Sequence, residues 1–461
     1  IETLAQLEAA ARAGRVRELP GFGEKTERGI LDSIATHHVA RQRVQRQVAH
    51  QFAEPLVTYL QAMPGVDKVV VAGSYRRGKE TVGDLDILAT THGESRVMEH
   101  FVHYDEVAQI ISQGATRATV VLRSGLQVDL RVVEQHSFGA ALHYFTGSKA
   151  HNIQLRRLGQ QRGLKINEYG VFRRDGQWVG GDTEASVFES VGLPPIPPEL
   201  REGRGEIEAA QAGRLPTLIS LSNLAGDLHV HTLATDGHAT IEEMARAAKA
   251  AGLSYLAITD HTRSLTVAHG LDEARLAQQL DEIDRLNEQL QGITILKGSE
   301  VEILEDGSLD LSEAILARLD LVIGGVHSQF HLSSRKQTLR ILRAMNSRYF
   351  SILAHPSARL LGERQAIAVD MQQVIATAHQ RGCYLELNSQ PQRLDLTDVY
   401  SQSAKEQGVL ICINSDGHSA NDFALLEGGI EQARRGWLSK EDVLNTRPLK
   451  TLREALRATM G

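Results

Sequence analysis

Cysteine is almost missing from this chain: two residues, Cys383 and Cys412, in 461. Two thiols exclude a disulfide framework. Both lie in apolar strand-like runs ("GCYLEL", "GVLICIN") and are expected as buried free thiols of a reducing compartment. No apolar run reaches the ~20 residues that span a bilayer, which excludes a transmembrane helix. Residues 1–48 read as charged helices and carry no apolar signal core. Short-period repeats and low-complexity tracts are also lacking. The first half has no basic excess: residues 1–200 hold 23 Lys+Arg and 23 Asp+Glu. The whole net charge of −7 falls in the remaining 261 residues, with 27 against 34. A neutral first half does not advertise nucleic-acid binding, and an acidic second half suits a metal site better than a phosphate-binding surface. The chain opens on Ile1 rather than Met, as a fragment or a processed form does.

What is present is a soluble, globular composition, 42% hydrophobic and 23% charged. A chain of 461 residues is too long for one core and predicts two or three domains. Residues 1–62 read as helical, interrupted by the Pro-Gly-x-Gly hairpin of "LPGFGEKTERGI" (19–30). Residues 63–135 alternate strands and helices through "KVVVAGS", "DLDILAT", "TVVLRSG" and "QVDLRVV"; an amphipathic stretch, Ala140 to Gly163, lies within 136–192. A linker is expected over 193–225, made stiff at its start by four prolines within 194–198. Over 226–461, strands near "GDLHVHT", "YLAITDH", "ITILKGSEVEI", "DLVIGGVH", "SILAHP", "CYLELNS" and "VLICINSD" alternate with helical patterns. Those helices are expected at 240–251, 272–291, 334–346, 370–381, 397–407 and 420–434. Seven parallel strands with crossovers predict a barrel related to the eightfold one.

In such barrels the active site lies at the carboxyl ends of the strands. Those ends carry His229 and His231, Asp260 with His261, Glu300, His327, His355, Glu386 with Asn388, and Asp416 with His418. One histidine beside an apolar strand is ordinarily just capped or half-buried; seven strand ends that all finish in possible ligands point to metal. Strand side chains at i and i+2 share a face, so His229 and His231 can aim at one point. Imidazole with carboxylate favours Zn, Mn or Fe. The ligand set exceeds one tetrahedral ion and suits two or three, with Glu300 as the natural bridge. Clustered ions activate water and clamp a phosphoryl group, so phosphoester hydrolysis is expected. His238, His269, His331 and His379 fall outside this pattern and read as surface or supporting residues.

"VVVAGSYRRGKETVGDLDIL" begins as a strand, turns through Gly73-Ser74 and returns as a strand bearing Asp84 and Asp86. A Gly-Ser turn offers backbone N–H groups and a hydroxyl to phosphates, with Arg76 and Arg77 beside it. Asp129 in "QVDLRVV" is a third carboxylate among apolar neighbours, where burial calls for a cation. Alone, Asp84 and Asp86 would cap a turn. Three carboxylates beside a phosphate cradle describe a two-Mg²⁺ nucleotidyl-transfer site.

"DLHVHT…TDG", "AITDH", "GSEVEI", "GGVHS", "AHP" and "NSDGH" resemble the motifs of the PHP (polymerase and histidinol phosphatase) family. The resemblance implies a distorted (β/α)7 barrel. It maps the ligands of three ions onto His229, His231, Asp236, His261, Glu300, His327, His355, Asp416 and His418. "HYFTGSKAHNIQLRRLGQQRGLKINEYG" (143–170) is similar to the thumb of family X DNA polymerases. That similarity assigns Tyr144, Phe145 and Gly147 to a sugar-contacting turn that excludes a 2′-OH. It assigns Asn152 to the nascent base pair and Arg156 to the template strand. "LPGFGEKTERGI" then resembles a helix-hairpin-helix, whose Gly21 and Gly23 let amides approach a DNA phosphate. "ARQRVQRQ" (40–47) is otherwise a solvated helix face.

The whole chain thus resembles bacterial family X polymerases with a C-terminal PHP domain. The implied architecture is multidomain: helical helix-hairpin-helix fingers (1–62), an α+β nucleotidyltransferase palm (63–135), a thumb (136–192), a linker (193–225) and an α/β PHP phosphoesterase barrel (226–461). Two departures stand out. The family starts with a further small domain that binds the gap's 5′ phosphate, and residues 1–18 are too short for it, so it is expected to be missing. Gln127 stands where animal members have an arginine beside the third Asp.

The resemblance implies gap-filling DNA synthesis for repair. Asp84, Asp86 and Asp129 are then catalytic and metal-binding, and Gly73, Ser74, Arg77, Tyr144, Phe145, Gly147 and Asn152 hold the nucleotide. Joined to it is a 3′–5′ exonuclease or 3′-end-processing activity. Expected cofactors are Mg²⁺ or Mn²⁺ in the palm and two to three Mn²⁺ or Zn²⁺ ions in the barrel. Expected partners are gapped or nicked DNA and dNTPs, with no membrane, for a monomer in the bacterial cytoplasm at the nucleoid. Two rival readings are a phosphomonoesterase whose first half is a DNA-binding scaffold, and a non-catalytic DNA-end binder.

Overall fold

The computed structural model describes residues 4–19, 21–24, 26–31, 43–92 and 95–460. They fall into two compact units, Ile1–Gly213 and Arg214–Gly461. Residues 32–42, including the start of "ARQRVQRQ", and Pro20 and Lys25 of the hairpin lie outside the described residues.

In the first unit, helix Leu4–Arg12 precedes the 19–24 turn, and residues 26–31 are helical again. Buried Glu27 ties the turn together, accepting the backbone N–H groups of Val16 and Arg17 and the Arg17 side chain. A two-residue ribbon, β1 (Val44–Gln45) with β3 (Thr81–Val82), flanks the central sheet. That sheet contains β2 (Val66–Val71), β4 (Asp84–Thr91), β5 (Val107–Gln113), β6 (Arg117–Leu122) and β7 (Gln127–Val133), in the order β2-β4-β7-β6-β5. Only β4 and β7 pair in parallel, which sets Asp86 beside Asp129. Helix Arg46–Gln61 covers the sheet with Ala49, Ala53, Leu56 and Leu60, spaced to form one helical face.

Helix Phe138–Thr146 stops at Gly147, whose φ of +66° suits a residue without a Cβ. Helix Lys149–Gln161 follows, then a three-stranded sheet of β8 (Leu164–Asn167), β9 (Gly170–Arg173) and β10 (Trp178–Gly180).

Three features of this unit depart from the sequence reading. Edge strand β5 was not foreseen, because its polar residues are exposed along one open edge and show no buried alternation. The thumb sheet was not foreseen either, its strands being too short to carry a pattern. The stretch expected as a linker is folded up to Gly213: Leu193, Ile196, Leu200 and Arg201 are buried, and helix Glu206–Gln211 packs in the same unit. Its charges are consumed inside the protein, as shown below, so they do not solvate a tether.

The second unit is a seven-stranded parallel sheet in sequence order. Its strands are β11 (Gly226–Val230), β12 (Tyr255–Ile258), β13 (Thr294–Glu302), β14 (Leu321–Gly325), β15 (Ile352–Leu353), β16 (Tyr384–Asn388) and β17 (Ile411–Asn414). Helices at Ile241–Ala250, Glu273–Gln289, Ser334–Met345, Met371–Arg381, Asp398–Glu406 and Leu426–Arg435 agree with the expected positions. The sheet nearly closes: His231 N–H donates to Gly417 O at 2.8 Å, next to a Val230–Gly417 bridge. Inside it pack Leu228, Tyr255, Leu296, Ile323, Ile352 and Cys412. Helix Leu449–Thr459, unforeseen, adds Leu452 and Leu456 to this cluster. Tyr255 and Tyr384, at the starts of their strands, donate to Arg447 O and Ala455 O, so this segment seals the amino ends of the strands. The carboxyl ends stay open for chemistry. Both cysteines are free and buried, and burial pushes the Cys383 thiol up to about 12.

Candidate active sites

A bulge in β11 explains how the adjacent Leu228 and His229 both face inward. The pairing of β11 with β12 slips by one residue between Asp227 and Val230. Leu228 belongs to the interior cluster, and past the bulge His229 and His231 both turn to the same carboxylate. Asp227 pins this strand by accepting from His229 N and Ser415 N.

Glu300, from β13, is the centre. Its Oε1 lies 2.8 Å from His355 Nε2 and 3.0 Å from His327 Nε2. Its Oε2 lies 3.0 Å from His261 Nδ1, 3.3 Å from His229 Nε2 and 3.5 Å from His231 Nε2. The two oxygens therefore serve different histidine sets, as a bridge requires. Asp416 Oδ1 stands 3.1 Å from His231 Nε2 and 3.4 Å from His229 Nε2. Asp236 Oδ2 lies 3.5 Å from His261 Nε2 and 3.6 Å from His418 Nε2. Among the described residues, three groups bring their ligand atoms within 4.8 Å: His231-Asp236-His261-His418, His229-His231-Glu300 and His261-Glu300-His327. All nine residues expected as ligands converge here.

The residues fit metal. Among the described residues, His231 Nδ1, His355 Nδ1 and Asp236 Oδ1 are buried without a hydrogen-bond partner. Such orphan acceptors are costly unless something binds them. Positive φ at His355 (27°) and Asp416 (51°) marks strained backbone at two of the ligands. The buried carboxylates and histidines shift one another's affinity for protons. Burial opposes the charge on His327, but Glu300 and Glu302 outweigh it and raise its pKa to about 9. Burial also opposes His418, which Asp236 and Asp416 raise to about 9. Burial, with His418 and His261 nearby, drives His231 down to about 3.

Three carboxylates have roles that the sequence did not separate. Glu386 Oε1 takes His229 Nδ1 at 2.7 Å and Asn414 Nδ2 at 2.8 Å, so it orients a ligand from behind. Glu302 does the same for His327 Nδ1 at 2.8 Å. Asp260 is saturated by Thr232 N–H and Oγ1, Thr235 Oγ1 and Gln279 Nε2, and so holds the loop that carries Asp236. Asn388 donates to Asp416 Oδ2 at 3.0 Å. His238, His269, His331 and His379 are exposed.

In the first unit, Asp84 and Asp86 share one face of β4. Burial, then the neighbouring carboxylates Asp84 and Asp129, push Asp86 up to about 7. Burial and Asp129 also raise Asp84. Asp129 differs from the expectation: its burial does not itself demand a cation. Its Oδ1 accepts Thr119 Oγ1 at 2.6 Å and Arg117 Nη2 at 3.1 Å, and its Oδ2 accepts Gln127 Nε2 at 2.9 Å. Turned to these donors, Asp129 forms no tight three-ligand group with Asp84 and Asp86.

Gly73 and Ser74 begin a one-turn helix, Gly73–Arg76, against β4. Arg76 forks onto Glu184 at 2.8 and 2.6 Å. Arg77 Nε donates to Glu202 at 2.9 Å and Nη1 to Thr146 O at 2.5 Å. Both arginines thus clamp the turn that follows Tyr144 and Phe145. Asn152 Nδ2 donates to Tyr144 O at 2.7 Å, Arg156 Nε donates to Asn152 O, and Asn152 Oδ1 is buried without a partner. Beneath lies a buried chain: His143 and His151 meet at 3.3 Å, and His151 Nδ1 donates to Glu206 at 2.9 Å. Gly21, with φ of +90°, and Gly23 are exposed, and a Cβ at either would meet nothing within 4 Å.

Family models place these sites among known proteins. Residues 43–158 match the DNA polymerase beta palm, 141–202 the DNA polymerase beta thumb and 227–390 the PHP domain. The DNA polymerase/3'-5' exonuclease PolX of Bacillus subtilis (strain 168) is 37% identical over 454 residues, covering 98% of this chain and 79% of that protein. A probable phosphatase of Thermoanaerobacter sp. (strain X514) is 32% identical over 232 residues, 48% of this chain and 89% of that one. Among solved structures, a Leishmania infantum polymerase beta ternary gap complex superposes with a TM-score of 0.37 at 21% identity, covering 44% of this chain and 81% of that chain. No described helix is long and apolar enough to cross a membrane. With a polymerase-type first unit, a PHP barrel after it and a relative matched over 98% of this chain, the chain belongs to the bacterial family X DNA polymerases that carry a C-terminal PHP domain.

Proposed function

We propose that the first unit extends a primer across short DNA gaps by templated dNTP addition, and that the second removes nucleotides or blocking groups from 3′ ends. The observation that carries this reading is Glu300, whose two oxygens face separate histidine sets while a nucleotidyltransferase palm lies in the same chain. A phosphomonoesterase with a DNA-binding scaffold would have no use for two buried carboxylates, Asp84 and Asp86, both raised by burial and by their carboxylate neighbours.

In the palm, Asp84 and Asp86 hold Mg²⁺ or Mn²⁺, which neutralises the triphosphate and activates the primer hydroxyl when bound. Asp129, steadied by Thr119, Arg117 and Gln127, completes the set. Gly73, Ser74 and Arg77 cradle the phosphates. Tyr144, Phe145 and Gly147 face the sugar, Asn152 the base and Arg156 the template. Gly21 and Gly23 meet the DNA backbone. In the barrel the nine ligands hold two or three Mn²⁺ or Zn²⁺ ions, and Glu302 and Glu386 fix the tautomers of His327 and His229. The chain acts as a monomer. Its domains are read as fingers, palm, thumb and barrel in that order, with helix Arg46–Gln61 packed on the palm sheet and the segment up to Gly213 serving the thumb.

The test is a gapped duplex ending in a 3′-phosphate, given Mn²⁺ and dNTPs. The intact chain extends it; Glu300→Ala does not, yet still extends a 3′-OH primer. Equal extension by both, or by neither while both extend the 3′-OH primer, refutes the hand-off.

A further inference from the structure

Among the described residues, Arg393 is the arginine whose side chain comes up to the His/Asp/Glu cluster, at Asp416. It sits in "QPQRLDL" (390–396), the turn that follows β16. The turn is rigidly made. Arg393 N–H donates to Gln390 O at 2.8 Å, Arg359 Nε donates to Arg393 O at 2.8 Å, and Asp395 accepts Ser357 N–H and Oγ at 2.8 and 2.9 Å. Gln390 Nε2 reaches back to Asp416 O at 2.7 Å, tying the turn to a ligand residue. The Arg393 side chain is 18% exposed, and its Nε lies 3.6 Å from Asp416 Oδ2, beyond hydrogen-bond reach. Asp416 Oδ2 already accepts from Asn388, and Asp416 Oδ1 faces His229 and His231. Among the described residues the guanidinium makes no other ion pair and no hydrogen bond. A second cation, Arg364, lies close enough to feel it: burial and then Arg393 lower its pKa, while its guanidinium rests 3.9 Å over the Phe330 ring.

A largely covered guanidinium with five donors, none of them hydrogen-bonded among the described residues and only one carboxylate oxygen at 3.6 Å, suits an anion. Asp416 cannot be that anion once its charge is spent on metal. We propose that Arg393 binds the non-bridging oxygens of the phosphodiester, or of a 3′-phosphate, that is hydrolysed over Glu300. This rests on the phosphoesterase reading above and names the group that holds its substrate. In the reaction a P–O bond to water's oxygen forms, the P–O bond to the 3′ oxygen of the shortened strand breaks, and that oxygen takes a proton. Arg393 donates hydrogen bonds and offsets the charge that grows on the phosphoryl oxygens.

The intact chain loaded with Mn²⁺ is assayed on bis-p-nitrophenyl phosphate, p-nitrophenyl phosphate and a recessed 3′ DNA end, beside Arg393→Ala and Arg393→Lys. Arg393→Ala loses about 10²-fold in kcat/KM and is inhibited by inorganic phosphate about tenfold more weakly. Arg393→Lys recovers part of both. Manganese content by mass spectrometry and primer extension stay at the wild-type level. Lost manganese, activity within about threefold of wild type, or unchanged phosphate inhibition overturns the assignment. If the intact chain cleaves the chromogenic esters but spares DNA, the 3′-end reading fails while Arg393 is still judged by the ester ratios.

Discussion

Gly73 lies directly against the Asp86 carboxylate: with φ of +62°, a Cβ built there would collide with Asp86 Oδ2. The glycine is required twice, by backbone conformation and by the closeness of its turn to the Asp86 carboxylate. The conformational part alone costs ~1 kcal/mol or more for an L-residue. Gly73→Ala should displace Asp86 and cut primer extension about 10²-fold, leaving the barrel's nuclease intact. Wild-type extension by Gly73→Ala would show that the contact is loose.

Protonation of the metal-free barrel gives a second prediction. His327 and His418, both near 9, must shed protons to ligate an ion. Metal uptake at pH 7–8 should release more than one proton, and apparent affinity should climb until about pH 9. Calorimetry in buffers of different ionisation enthalpy measures this directly. The same raised values stabilise the metal-free fold fully below pH 6.5, and that contribution is lost as pH rises through 9. The melting temperature of the metal-free chain should therefore fall over this window, and that of the metal-loaded chain should not.

Glu302→Gln and Glu386→Gln replace residues that stand behind His327 and His229, and each should weaken metal binding by about 10–100-fold, because those histidines lose a charged acceptor for a neutral amide. Metal titration followed by chelator competition reads this out. Unchanged affinity would reduce both residues to packing.

The sugar gate should be built from backbone. Asn152 anchors the Tyr144 carbonyl at 2.7 Å. Asn152→Ala should lower the preference for dNTP over rNTP roughly tenfold, the worth of one hydrogen bond. Tyr144→Ala, which keeps the carbonyl, should lower it less. Single-turnover incorporation of matched dNTP and rNTP pairs decides the order.

Glu206 accepts from His151, Gly203 N–H and Arg204 N–H inside the first unit. Glu206→Ala strands these donors and should cost about 3 kcal/mol. A drop in the melting temperature of the first unit, with metal binding by the barrel unaltered, is the expected signature.

The barrel was legible because its message repeats: His229, His261, Glu300, His327, His355 and Asp416 recur at strand ends whose spacing follows from helix and strand lengths. A single chain does not say which carboxylate binds and which supports. Glu300 and Glu302 share a strand face, and only coordinates show one at the centre and the other behind His327. Asp260 beside His261 looked like a ligand pair, but its oxygens are spent on Thr232, Thr235 and Gln279. Asp129 misled in the opposite sense: an apolar strand context suggested an unpaired charge, and the cross-strand partner Thr119 supplied the missing donor. Strand β5 and the thumb sheet stayed hidden because exposed edges and three- or four-residue strands carry no period.

The folded segment after the proline run changes where this gene can be cut. A polymerase fragment ended at residue 192 by its prolines would discard Arg201, Glu202 and Glu206, and with them the clamps on Glu184, Arg77 and His151. Such a fragment would be unstable or slow, and its defect would be mistaken for dependence on the barrel. Dissection of the two activities, or grafting either onto another protein, belongs at the Gly213–Arg214 boundary.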